Sequence, residues 1–211
     1  MPRILTILGS GETSPTMVTP HQRTFTRLGS DVRAVLLDSP YGFQENADEL
    51  TEKAQQFFRE SVGREVDVVT FRKAPAPDLT AHAVEMARLR AADWIFAGPG
   101  SPSYALRTWA GSAVPEALHA RLRDGGAVTF ASAAALTLGA LTIPVYEVYK
   151  VGDDPYWLEG LDVVGGNNHG HARDDAHQGD ILDALVAAAV LANAQPRMGQ
   201  AEFYIGIYIR N

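Results

Sequence analysis

The chain contains no cysteine among its 211 residues. It therefore cannot form a disulfide, a thiolate zinc site or a cysteine nucleophile. Any covalent chemistry that the protein performs has to use a side-chain oxygen or nitrogen.

Basic charge is also scarce. Eighteen Lys and Arg against 25 Asp and Glu give a net charge of −7, and no basic run could follow a phosphate backbone, so we do not expect a nucleic-acid partner. No apolar run approaches the roughly 20 residues that cross a bilayer, and the first residues enter the strand-like run RILTIL without the features of a signal peptide. The sequence favours a cytoplasmic protein that does not insert into membranes.

Short β-rich runs alternate with amphipathic helical stretches along the chain, and no linker or repeat divides it. This pattern predicts one α/β domain over residues 1–211, with a mostly parallel sheet and helices on both faces. In such sheets the ligand site lies beyond the carboxyl ends of the strands. The expected buried strands are ILTIL (4–8), VRAVLL (32–37), VDVVTF (66–71), DWIFAG (93–98) and AVTFA (127–131).

Two glycine-containing loops follow predicted strands. In GSGETSPTM, Gly11 and Glu12 are candidates for substrate binding, because glycine lets backbone amides approach a ligand closely. In GPGSPSYALRTW, Ser101 is expected to cap a helix that begins at Pro102. Since proline has no N–H, a donor to an oxyanion in this loop has to come from Gly98, Gly100 or Ser101.

Ser132 directly follows the strand AVTFA and precedes the small-residue run AAAL. The order strand, serine, helix is that of a nucleophile elbow, in which the next backbone amide, that of Ala133, can join an oxyanion hole. A serine before an alanine-rich helix is also a common N-cap. The residues themselves leave both interpretations open.

The stretches AGPGS and FASAAA, followed by an acidic residue and a histidine, resemble the peptidase S51 family, which includes dipeptidase E and cyanophycinase. The resemblance implies the class I glutamine-amidotransferase-like fold, a three-layer sandwich. It also implies a serine hydrolase that cleaves an amide or peptide bond, with Ser132 as nucleophile, His169 as general base and Glu147 as supporting acid. The implied oxyanion donors are the amides of Gly100 and Ala133.

The resemblance also implies that the substrate is a peptide or amide containing an aspartyl residue. The implied reaction needs no cofactor. Ser101, Asn168 and Arg173 are the further candidates for the substrate pocket. Arg173 could hold a substrate carboxylate or could balance the adjacent aspartates.

Some positions depart from the family pattern or allow a second interpretation. Phe130 and Ala134 stand where the elbow normally has glycines. His171 is the alternative to His169 as the base. Glu147, in IPVYEVYKV, could equally lie on the solvent face of a strand, as its alternating neighbours suggest.

The histidines of the segment NNHGHARDDAH support another function. His169, His171 and His177, with Asp174 and Asp175 nearby, could bind zinc or manganese, which would make the protein a metal-dependent hydrolase. A third hypothesis is a non-catalytic or redirected homologue that binds a small molecule.

The chain ends on AEFYIGIYIRN, whose alternation predicts a half-buried strand. Such a strand at a sheet edge can pair with a second copy of the chain, so a homodimer is an expectation.

Overall fold

The computed structural model describes residues 1–75, 78–163 and 202–206. Within these residues the main sheet contains the strands β1 (Arg3–Leu8), β2 (Ala34–Leu37), β3 (Asp67–Val69), β4 (Trp94–Ala97), β5 (Gly126–Ala131) and β8 (Glu202–Gly206). Their order is β3-β2-β4-β5-β1-β8, and each pairing between neighbours is parallel.

The predicted strands are confirmed, with small shifts of their ends. The largest difference is at β3, where the predicted run 66–71 contributes only Asp67–Val69 to the sheet. Beyond that strand, the backbone amide of Phe71 donates to the Asp38 side chain instead of a neighbouring strand. The α/β fold with a mostly parallel sheet is thus as predicted.

Helices cover both faces of the sheet and are α1 (Val18–Leu28), α2 (Ala47–Phe57), α3 (Leu79–Ala91), α4 (Pro102–Trp109), α5 (Val114–Asp124) and α6 (Ser132–Leu136). One apolar cluster joins α1, α2 and a π-helical turn, Phe58–Val62, to one face. A second cluster joins α3, α4, α5 and α6 to the other face. Alternate residues of each strand point to opposite faces, which divides the core into these two layers of side chains.

The short remaining elements lie at the ends of the strands. Turns of 3-10 helix occupy Pro15–Met17, after β1, and Ser39–Tyr41, after β2. After α6 the chain forms an antiparallel pair of two-residue strands, β6 (Leu141–Thr142) and β7 (Leu158–Glu159). A second π-helical turn, Glu147–Val151, lies between β6 and β7.

The register of the central strands brings three carboxyl ends together. Leu8 of β1 pairs with Ala131 of β5, and Ala97 of β4 pairs with Phe130. The connections that leave β1, β4 and β5 therefore start side by side at one edge of the sheet. This is the edge at which parallel sheets carry their ligand sites.

The last described strand, β8, lies at one end of the sheet and pairs with β1. The predicted C-terminal strand is confirmed over Glu202–Gly206, and the dimer expected at this edge stays a prediction. Among residues 1–75, 78–163 and 202–206, no helix has the length and apolar character needed to span a bilayer.

Candidate active site

Ser132 has a left-handed backbone at the turn between β5 and α6. Its φ is 50°, and Asp162 is the only other residue besides glycine with a positive φ in the described part of the chain. A left-handed conformation costs a residue with a Cβ on the order of 1 kcal/mol, and such strain concentrates at functional sites. The N-cap of α6 is Ala131, and Ser132 Oγ makes no hydrogen bond with any described residue. The helix-cap interpretation of Ser132 is therefore wrong.

The bulky residue at the elbow is accommodated by the core. The Phe130 side chain is completely buried, and its ring centroid lies 5.9 Å from that of Trp109 on α4. Two residues after Ser132, the amide of Ala134 donates to the Gly98 carbonyl at 3.2 Å. The turn is thus anchored by a buried ring on its strand side and by the loop after β4 on its helix side.

The loop Gly98–Ser101 ends in a conventional helix cap. Ser101 has an extended backbone, and its Oγ accepts a hydrogen bond from the amide of Tyr104 at 3.0 Å, so the predicted cap before Pro102 is confirmed. The amide of Ser101 donates to the Pro40 carbonyl at 2.9 Å. Of the three amides expected as oxyanion donors in this loop, that of Ser101 is therefore already engaged.

Gly100 can only be glycine in this loop. Its φ is +138°, and a Cβ at this position would lie 2.0 Å from the Pro40 carbonyl oxygen. The close packing of the loop after β4 against the loop after β2 therefore requires a residue without a side chain.

Glu147 begins the π-helical turn Glu147–Val151 and is half-buried. Its Oε1 accepts a hydrogen bond from Ser101 Oγ at 2.9 Å and another from Ser103 Oγ. Its Oε2 is buried and has no hydrogen-bond partner among the described residues. The alternative in which Glu147 lies on the solvent face of a strand is wrong, because the chain is helical there and the carboxylate faces the start of α4.

The loop after β1 brings a second carboxylate to the same edge. Glu12 is only 8% exposed, and its Oε1 lies 3.5 Å from where a Cβ of Gly98 would be. Burial raises the pKa of Glu12. The Nε2–H of His21 donates a hydrogen bond to the Glu12 carbonyl at 2.8 Å. Burial lowers the pKa of His21. Next to Glu12, Gly11 has a φ of 75°.

An ion pair between the buried Asp38 and the half-buried Arg72 supports the loops after β2 and β3. Asp38 is fully buried and accepts hydrogen bonds from the Phe71 amide at 3.0 Å and from Arg72 Nε at 2.6 Å. Burial raises the pKa of Asp38, and both hydrogen bonds oppose that effect. The Arg72 carbonyl accepts a hydrogen bond from the Tyr104 hydroxyl. The pair therefore links the end of β2 to the first turn of α4.

A pocket of about 310 Å³ opens beside the Glu147 carboxylate and is lined by Phe43, Ser101, Tyr104, Arg107, Tyr146, Glu147 and Val151. The sequence motifs indicate Ser101 and Glu147, but neither the other lining residues nor Ser103. One signal was present for Phe43, which follows the strand β2 closely, as expected for residues at the ligand-binding edge. The other residues approach the pocket only through tertiary packing.

The remaining predicted site residues, Asn168, His169, His171 and Arg173, lie outside the described residues, as does His177. The general base and the proposed histidine metal site therefore stay predictions. In the part of the chain that the structure describes, no three His, Cys, Asp or Glu side chains are grouped so that they could hold a metal ion.

Comparison with known proteins finds the same fold in two solved peptidase structures. A peptidase from an acI-B1 Actinobacterium superposes with a TM-score of 0.63 at 17% identity, over 76% of this chain and 64% of that protein. A putative Peptidase E protein from Listeria monocytogenes EGD-e superposes with a TM-score of 0.56 at 14% identity, over 96% of this chain and 89% of that protein. The matched part of this chain thus spans less than two thirds of the actinobacterial peptidase.

No protein-family model matches the sequence. No curated protein matches it either. At these identities the structural likeness shows a shared fold, and it agrees with the peptidase E-like fold that the sequence motifs predicted.

Proposed function

We propose that this chain is a serine hydrolase that cleaves an amide or peptide bond, with Ser132 as the nucleophile. The observation that carries the proposal is the left-handed backbone of Ser132, with φ of 50°, at the turn from β5 into α6. Nucleophile elbows have this strand-turn-helix arrangement, which projects the serine Oγ from a strained turn. Ser132 is half-buried at the carboxyl edge of the sheet, and its Oγ has no hydrogen-bond partner among the described residues.

In the proposed reaction the Oγ of Ser132 attacks the substrate carbonyl carbon while a histidine takes its proton. The C–N bond then breaks, the histidine returns the proton to the leaving nitrogen, and an acyl-enzyme remains on Ser132. Water gives a proton to the same histidine and attacks the acyl carbon, the bond between that carbon and Oγ breaks, and the histidine returns the proton to Oγ as the acid leaves. His169 is the proposed base, and His171 is the alternative.

Two backbone amides are the proposed oxyanion donors. Ala133 is in the first turn of α6, where an amide N–H has no acceptor within the helix. Gly100 belongs to the neighbouring connection, which the hydrogen bond from Ala134 to Gly98 holds against α6. Donors aimed at the developing oxyanion contribute roughly 10²–10³ in rate.

Glu147 is the proposed acid that orients the base. Two serine hydroxyls fix Oε1, while the buried Oε2 accepts no hydrogen bond from the described residues. A buried carboxylate oxygen without a partner is costly, so a donor from the remaining part of the chain is expected to reach it. The Nδ1–H of the catalytic histidine would satisfy this oxygen. The solved peptidases that share the fold support the general class of activity.

The test is covalent labelling with an alkyl fluorophosphonate, read by intact-protein mass spectrometry. The Oγ–P bond forms, the P–F bond breaks, fluoride leaves and the proton passes to the base. We expect one adduct on the native chain, none on Ser132→Ala, and an unchanged adduct on the control Ser112→Ala, which alters a serine in the turn before α5. Slower labelling of His169→Ala than of His171→Ala would identify the base.

Two results would overturn the proposal. One is the absence of an adduct on a folded native protein, and the other is an adduct that persists on Ser132→Ala. Amidase activity that disappears with a chelator and returns with zinc would instead support the metal-dependent alternative. Ligand binding without any turnover would support the non-catalytic one.

A further inference from the structure

We infer that the pocket beside Glu147 is a side-chain subsite, which accepts a large apolar or aromatic group on a substrate residue flanking the scissile bond. The inference rests on the proposed function for its link to a scissile bond. It differs from the aspartyl preference that the family resemblance implies.

The pocket has an aromatic wall made by three separate parts of the chain. The ring centroid of Phe43 lies 5.0 Å from that of Tyr104 and 5.0 Å from that of Tyr146, at interplanar angles of 49° and 76°. These are tilted and edge-to-face contacts, which aromatic pairs favour. The ring of Phe43 therefore packs against both tyrosine rings, and the three rings line an apolar space.

Tyr104 is also fixed at its polar end. Its hydroxyl donates to the carbonyl of Arg72, whose side chain is held by the buried Asp38. With the hydroxyl satisfied away from the pocket, the ring is the part of Tyr104 that a ligand meets. A wall that is already ordered costs little conformational entropy when a ligand binds.

The charges around the pocket favour a neutral occupant. Glu147 lies on one side, where its Oε1 is held by serine hydroxyls and its Oε2 is buried. The exposed Arg107 lies on another side, with its guanidinium 5.7 Å from the Tyr104 ring centroid. A cationic group would be attracted by Glu147 and repelled by Arg107, and an anionic group the reverse, so neither sign of charge is favoured in the pocket. An uncharged apolar side chain avoids both penalties.

The position of the pocket connects it to the proposed reaction. Ser101 lines the pocket and directly follows Gly100, a proposed oxyanion donor. A volume of about 310 Å³ lies at the small end of the range of ligand pockets, roughly 300–1,000 Å³. This space suits one large side chain and not an extended ligand.

The first experiment measures binding without turnover. Titration calorimetry would compare N-acetyl-phenylalaninamide, N-acetyl-alaninamide and N-acetyl-aspartamide on the native protein, Tyr146→Ala and Tyr149→Ala. Tyr149 is the matched control, since it lies in the same π-helical turn, is 57% exposed and does not line the pocket. Melting curves would verify that all three proteins are folded.

We expect the phenylalanine derivative to bind at least about tenfold more tightly than the other two. Tyr146→Ala should reduce this preference to about twofold or less, and Tyr149→Ala should leave it intact. Equal binding of the three amides, tighter binding of the aspartate derivative or an equal loss in both variants would overturn the inference.

The second experiment separates this inference from the proposed function by comparing benzyl and methyl phosphonofluoridates on Ser132. Faster modification by the benzyl reagent, lost in Tyr146→Ala, supports both. If neither reagent reacts while calorimetry retains the phenyl preference, the hydrolase proposal fails and the pocket assignment stands. If both react equally and calorimetry shows no phenyl preference, the pocket assignment fails and the hydrolase proposal stands.

Discussion

Two neighbouring connections of this protein each place a serine between a strand and a helix, yet the two serines have different structural roles. Ser101, between β4 and α4, has an extended backbone with φ of −115° and caps its helix by accepting from the Tyr104 amide. Ser132, between β5 and α6, has φ of 50° and caps nothing. One serine stabilises a helix start, whereas the other is held in a conformation that its residue type disfavours. The backbone conformation distinguishes them.

The largest expected effect concerns the loop that carries Ser101. Gly100→Ala would place a Cβ 2.0 Å from the Pro40 carbonyl oxygen, so the two loops have to separate. We expect the free energy of unfolding to fall by about 3 kcal/mol, measured by urea denaturation. The control is Gly111→Ala, where φ is +70° and nothing lies within 4 Å. Its strain alone should cost about 1 kcal/mol, and equal losses in both variants would contradict the steric explanation.

Removing the Ser101 hydroxyl tests its role as a cap. Ser101→Ala loses the hydrogen bond from the Tyr104 amide and the one to Glu147. We expect a loss of about 1–2 kcal/mol in the free energy of unfolding, with Ser132 still labelled by a fluorophosphonate. Unchanged stability would show that the Ser101 hydroxyl does not stabilise the start of α4.

Relieving the backbone strain at Ser132 should change the free energy of unfolding by less and should stabilise the protein. Ser132→Gly should be more stable than Ser132→Ala by about 0.5–1 kcal/mol, because glycine adopts a positive φ without steric cost. Both variants should be unreactive towards the fluorophosphonate. One residue later, Ala133→Gly should lower stability by a similar amount, since that position is helical. A more stable Ser132→Ala would contradict the left-handed assignment.

The smallest expected effect concerns the connection after β1, where the His21 imidazole donates a hydrogen bond to the Glu12 carbonyl. Burial lowers the pKa of His21 from its ordinary 6.5, so the unfolded chain binds a proton more readily. The contribution of neutral His21 to stability is therefore present above pH 6.5 and is lost as the pH falls through the lower folded pKa. Urea denaturation across about pH 5 to 8 should show that the free energy of unfolding decreases as the pH is lowered. This pH dependence should be weaker in His21→Gln and unchanged in His119→Gln, which alters an exposed histidine.

Most of the fold was predictable because its signals are local. The runs that became β1, β2, β4 and β5 are short, apolar and bounded by turn residues, and the cap at Ser101 follows from the serine-proline pair at the start of α4. The predicted strand at 66–71 extends too far because its last amides donate to side chains instead of to a strand, that of Thr70 to Glu85 and that of Phe71 to Asp38. The second of these contacts joins residues 33 positions apart, which periodicity does not report.

The candidate site was predictable only in part. The order of the motifs and the family resemblance predict a site made of Ser132, Glu147, Gly100 and Ala133. The choice between a helix cap and a nucleophile elbow at Ser132 requires the backbone angle of that residue. The partners of Glu147, Ser101 and Ser103, are 46 and 44 residues away in the sequence. No local pattern connects residues at such separations.

By itself, the sequence determined the alternation of strands and helices, the edge at which ligands should bind and the exclusion of cysteine chemistry, since these follow from residue type and short-range periodicity. The tertiary structure decided the left-handed turn at Ser132, the burial of the Glu147 carboxylate and the aromatic wall that joins Phe43 to Tyr104 and Tyr146. These features depend on packing between distant segments. The energy that holds a strained turn or a buried charge in place comes from the surrounding core and not from neighbouring residues.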